Sequence, residues 1–170
     1  MKIFAPFLIL LTFGASNCLA QDNPISAFQL KWQNSKNYLI EMAESMPAKQ
    51  YNYGPTERQM TFREQLLHIR RNMLWLSQVV ISGKEFENTD TAALSKQETI
   101  GLLASAFDKV SETVAKMDAN DLSEKVEFKG GTKTKLQILN LIQDHVTHHR
   151  GQLVVYLNLQ GIDPPGYVGW

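Results

Sequence analysis

The sequence predicts an all-α protein, a four-helix bundle. Three observations predict it: four stretches carry apolar residues at three- and four-residue steps, three of them open with a capping motif, and no run of alternating residues competes. Four amphipathic helices each need a partner for the apolar stripe, and one bundle buries all four together. In the first stretch Ile25, Phe28, Trp32, Ser35, Leu39, Met42 and Met46 share a face, and Pro47 stops the pattern. Ahead of the second, Thr61 with Glu64 makes a capping box, followed by Phe62, Leu66, Ile69, Met73, Leu76 and Val80 up to Gly83. Ser95 with Glu98 repeats the device before Ile100, Leu103, Phe107, Val110, Val114 and Met117. Thr134 with Gln137 opens the last helix, which carries Ile138, Ile142, Val146, Leu153 and Tyr156 to Gly161, with Pro164 and Pro165 beyond to prevent continuation. A short extended piece fits residues 125–128, before the Gly130-Gly131 turn. The connections are each longer than about ten residues, above the usual length between hairpin neighbours in bundles, so crossover connections are permitted.

The N-terminus stands apart from this pattern. Lys2 followed by an apolar run over residues 3–15 is too short to span a bilayer and reads as a secretory signal. Cys18 and Ala20 precede Gln21 as a cleavage site requires, giving a signal peptide over 1–20 and one domain over 21–170. The expected destination is the periplasm or the medium. Ala15, Ser16 and Asn17 do not suit processing as a lipoprotein at Cys18. Cleavage leaves about 150 residues, enough for one core and not for two. It also removes the sole cysteine, so the mature protein has neither a disulfide nor a thiolate metal ligand. Formal net charge is zero for the whole chain, and loss of Lys2 leaves it slightly acidic. Such a balance gives no footprint for nucleic acid, and no polybasic or long apolar segment marks a membrane partner.

All 4 histidines fall inside expected helices, three of them at His145, His148 and His149. Residues four apart lie on one helical face a turn apart, which suits two imidazoles to one ion. Spacing alone also admits His145 with His148; the stripe decides against it. At about 100° per residue, His149 falls at the centre of the row of Ile138, Ile142 and Leu153, His145 at its shoulder and His148 outside. A lone core histidine is ordinarily neutral and hydrogen-bonded, but two on one buried face would each need separate partners where one ion satisfies both. His68 is the remaining histidine, in a second sector of the second helix with Gln65, Asn72 and Trp75. Taken alone it reads equally as structural; as a third neutral ligand it would give the open three-histidine arrangement of catalytic zinc. Glu64, one turn earlier, is open to two readings, as ligand or general base and as part of the cap.

These residues resemble a known family. The run Asp144-His145-Val146-Thr147-His148-His149-Arg150-Gly151-Gln152 is similar to the last-helix signature of DinB-like proteins. Tyr51-Asn52-Tyr53-Gly54-Pro55-Thr56, Thr61-Phe62 and Gln65-Leu66-Leu67-His68-Ile69 resemble the family's second segment, and the ending from Gly161 to Trp170 resembles its close. The resemblance implies that His68, His145 and His149 hold one divalent ion, zinc or nickel foremost and manganese or iron as alternatives. It also implies an up-down-down-up bundle and frequent dimerisation. Gln152 then lines the pocket or supports a ligand, and Arg150 is structural. Relatives include thiol S-transferases and metal-dependent hydrolases, both acting on small molecules through the metal as Lewis acid, so a small-molecule substrate is expected here. Export favours the hydrolase, because thiol cofactors are scarce outside the cytoplasm. The rival reading is a metal-binding module without turnover, since no acid or base stands beside the ligands on their stripe.

Overall fold

The computed structural model describes residues 23–86 and 89–169, so the signal peptide expected over 1–20 lies outside the described residues. Four helices form: α1 over Pro24–Ser45, α2 over Phe62–Leu74, α3 over Lys96–Ala115 and α4 over Lys135–Leu159. Asn23 caps α1 by accepting from the Ile25 amide. All three capping boxes are made reciprocally, at Thr61/Glu64, Ser95/Glu98 and Thr134/Gln137. The strands β1, Lys125–Val126, and β2, Lys133–Thr134, pair antiparallel. Residues 125–126 therefore keep the extended form expected of them, but their partner strand was not legible, because two residues are too few for an alternation to register. Gly130 and Gly131 turn the corner at φ 87° and 105°, open only to glycine without strain.

Two helix ends differ from the sequence reading. Helix α3 stops at Ala115, and its exit tightens as the Met117 amide donates to the Val114 carbonyl. More consequentially, α2 passes into a π-helical stretch, Trp75–Ile81. The wider turn shifts the helical phase, so Ile81 is buried where an unbroken α-helix would bury Val80, which is only half-buried.

Each of α1 and α2 packs on both α3 and α4. Helices α1 and α3 run antiparallel: Trp32 donates its indole N–H to the Phe107 carbonyl at 3.0 Å, and Lys96 at the start of α3 donates to the Met46 carbonyl past the end of α1. Helices α2 and α4 are also antiparallel, with Tyr156 donating to the Met60 carbonyl at 2.8 Å ahead of α2 while His145 meets His68 further along. Gln50 meets Gln160 beyond the C-terminal ends of α1 and α4, while Phe28 and Leu139 line one cleft near their starts, so these two run the same way. Helices α2 and α3 then share the opposite direction, and Arg63 reaches Thr99 at their starts. Because α2 and α3 are parallel neighbours, the segment 82–95 must return along the bundle, and in doing so it passes the histidines. No described helix is long and apolar enough to cross a membrane. One continuous apolar core includes Trp32, Phe62, Phe107, Leu39 and Met73.

Candidate metal centre

The α4 stripe carries its histidines as the phase dictates. His149 is 6% exposed, His145 half-buried and His148 exposed. From the facing antiparallel helix α2, His68 completes a triangle with the two inward rings, its centroid 4.9 Å from His145 and 4.6 Å from His149, which are themselves 4.5 Å apart. One ring nitrogen of each lies within 4.8 Å of the others, a grouping that could hold a metal ion. The Nε2 atoms of His68 and His145 are 3.1 Å apart. Two imidazole nitrogens on one tetrahedral zinc stand roughly 3.3 Å apart, from Zn–N bonds near 2.0–2.1 Å, so this edge already has the span an ion needs. One shared proton could join His68 to His145 but would leave the Nε2 of His149 outside the pair; an ion answers all three. The donor set fits a divalent metal.

The protonation states fit too. Burial pushes His149 and His145 down to about 4, with neighbouring histidines adding to the effect, and burial followed by the Arg71 charge lowers His68. All three are neutral at pH 7, as ligation requires. For His149 the tautomer is set by a partner: its Nδ1 lies 2.6 Å from Gln65 Oε1, which can only accept, so Nδ1 carries the proton and Nε2 offers its lone pair to the cluster. Gln65, fully buried, is oriented in turn by donating to Gln152 Oε1 at 2.7 Å, and Gln152 donates to His148 Nε2 at 2.9 Å.

Sequence reasoning placed Gln65 in the sector of His68 but gave it no task. The available signal was its spacing, three residues before His68 on one helical face. Gln152, expected to line the pocket or support a ligand, supports one at one remove, through Gln65. Arg150 lies over the Tyr38 ring at 4.9 Å and is buried, in keeping with a structural part. The Glu64 carboxylate accepts from the Thr61 amide at 2.7 Å, and that bond holds it below the usual carboxylate range. Glu64 is thus engaged in its cap and is not among the clustered ligands. Removing the Gln65 carbonyl should free the His149 ring: Gln65→Leu is expected to weaken zinc binding by about ten- to a hundredfold. Competition against a chromophoric chelator measures this, and unchanged affinity would refute the orienting role.

Two cavities open on the cluster through His68. One of about 260 Å³ is walled by Glu64, Arg71, Phe86 and Thr89, and one of about 500 Å³ by Arg71, Asn72, Trp75, Phe86 and Lys129. Phe86 and Thr89 belong to the returning segment 82–95. Neither the cations nor the loop residues around these openings had a signature in the sequence.

Comparison with known proteins agrees with this architecture. The family model described as "DinB family" matches residues 21–169. The uncharacterized protein YjoA of Bacillus subtilis (strain 168) is 25% identical over 150 residues, which are 84% of this chain and 93% of that protein. The crystal structure of the same DinB-like protein superposes with a TM-score of 0.68 at 24% identity, covering 79% of this chain and 92% of its own. A DinB-like protein from Bacillus cereus ATCC 10987 superposes with a TM-score of 0.74 at 19% identity, covering 85% and 97%. At these identities the two structures speak for the fold alone.

Proposed function

The chain belongs to the DinB family, and from that premise we propose that it is a metal-dependent enzyme in which His68, His145 and His149 hold one divalent ion, zinc or nickel foremost. The carrying observation is that this cluster is open: His68 borders two cavities, whereas a structural zinc site is closed by four protein ligands. Bound there, the ion supplies Lewis-acid polarisation of an oxygen or sulfur donor. The chain does the rest. Gln65 fixes the ring of His149, burial keeps the three imidazoles unprotonated, and the cavities admit a small molecule to the side of the cluster nearest His68. With Glu64 tied into its cap, proton transfer falls to solvent or to the substrate itself. The reaction class is hydrolysis or thiol S-transfer. The N-terminal segment read as an export signal favours hydrolysis, because it carries the protein away from cytoplasmic thiols.

Protein purified from the exported fraction is expected to contain close to one divalent ion per chain by elemental analysis. Failure to take up zinc, nickel and manganese on reconstitution would end the proposal. A cobalt-substituted sample should change its visible spectrum with millimolar azide or thiol, the mark of an exchangeable position. A spectrum indifferent to both would leave a metal-binding module without turnover.

A further inference from the structure

The cavity of about 500 Å³ has a chemical character that the metal cluster does not explain. Arg71 and Lys129 both line it, and no carboxylate does among the described residues. The ion pairs found among those residues join Lys36 to Asp108 and Lys135 to Glu124, so neither cavity cation is neutralised in that way. The Arg71 charge is felt inside the site, where it helps to keep His68 unprotonated. Two cations without a carboxylate partner among the described residues, beside three neutral ligands and with a divalent ion added, make a local excess of positive charge on a chain whose formal net charge is zero.

The remaining walls are aromatic. Trp75 is half-buried, leans on Phe128 at 5.8 Å between ring centroids, and faces the cavity together with Phe86. Trp75 is also the first residue of the π-helical stretch, a departure from α-helix often found at functional sites. Asn72 adds a polar point, since its Oδ1 is buried without a hydrogen-bond partner. A volume of about 500 Å³ is in the usual range for small-molecule sites.

We propose that this cavity is the substrate site and that it selects a small organic anion with a flat apolar body: the anionic group between Arg71 and Lys129, the body against Trp75 and Phe86, the reacting end toward His68. Asn72 Oδ1 accepts from a ligand N–H or O–H where one is present. The direction of the reacting end rests on the metal-enzyme reading above; the selection for an aromatic anion does not. Neutral molecules of the same shape lose the two cations, and cations are repelled by them.

The test uses 2-naphthoate and its neutral isostere 2-naphthylmethanol as probes, titrated calorimetrically into the full mature protein with and without zinc. Naphthoate is expected to bind at least about tenfold more tightly than the alcohol. Exchanging both exposed cations, Arg71→Met with Lys129→Met, should remove that preference, in the zinc-saturated and in the zinc-free protein alike, while leaving the helical circular dichroism unchanged. Equal binding of the two probes, no binding of either at millimolar concentration, or a preference that survives the double exchange would overturn the proposal. If the protein takes up no zinc yet keeps the cation-dependent preference, the metal reading fails and the anion site stands. If zinc binds and the preference is absent, the reverse holds.

Discussion

Replacing His149 with Ala is expected to lower zinc affinity by more than about a hundredfold, beyond what loss of an outer partner such as Gln65 costs. His148→Ala, one residue away, should leave it nearly unchanged. The contrast follows from helical phase. His149 sits in the buried row of α4 with its Nε2 toward His68 and His145, whereas His148 is exposed and meets Gln152 instead. Truncation at 149 also strands the Gln65 carbonyl in the core, where an unpaired acceptor costs about 1–3 kcal/mol. The metal-free H149A protein should therefore unfold earlier in urea than metal-free H148A. Competition with a chelator gives the affinities. Loss of zinc in H148A with retention in H149A would show that the ligands are assigned to the wrong rows.

Chelation is expected to lower the thermal midpoint by several degrees without unfolding the protein at room temperature. An ion held by α2 and α4 together is held by neither in the unfolded chain, so binding stabilises the fold by mass action. At free metal a hundredfold above the dissociation constant this is about 2.7 kcal/mol, which for a domain of this size is several degrees. The metal-free bundle has its own continuous core and its own capped helices, so it does not depend on the ion as a zinc finger does. His68→Ala should abolish most of the increment, because it disconnects α2 from the ion. An increment that survives this change at equal metal occupancy would remove His68 from the ligand set. Acidity acts in a defined sense. His145 and His149 titrate near 4 in the fold, against 6.5 when unperturbed, so the unfolded chain binds more protons between those values. The metal-free protein should lose stability as pH falls from about 6.5 toward 4, whereas the folded protein should release metal only around 4 and below, where His145 and His149 themselves take up protons. A midpoint flat across that interval in differential scanning calorimetry would contradict the burial that keeps these rings neutral.

The parts of this architecture that were legible in the sequence are those with a short period or a fixed local chemistry. The stripes, the three capping boxes and the inward phase of His149 all depend on residues within four of one another. What escaped depends on residues far apart in the chain. The π-helical stretch at Trp75 looks in sequence like two more residues of stripe, since Leu76 and Val80 continue the step, and only packing reveals that Ile81 takes the buried place. The link from Gln65 to His149 spans 84 residues, and no local pattern marks a glutamine that will meet a histidine on another helix. Lys129, next to the Gly130-Gly131 corner, joins Arg71 at one cavity only because β1 and β2 fold the chain back beside α2.

The return of segment 82–95 along two parallel helices divides labour in a way that bears on how the molecule can change. The clustered histidines are anchored in helices whose other faces are committed to the core, so almost any exchange near them is felt by stability. Phe86, Thr89 and Thr91 wall the cavities from a connection that contributes no stripe to the bundle. Loop residues of this kind tolerate replacement and insertion far better than core positions do. A lineage carrying this fold can therefore vary one wall of both cavities by rewriting this connection, keeping the histidine cluster and the folding instructions intact.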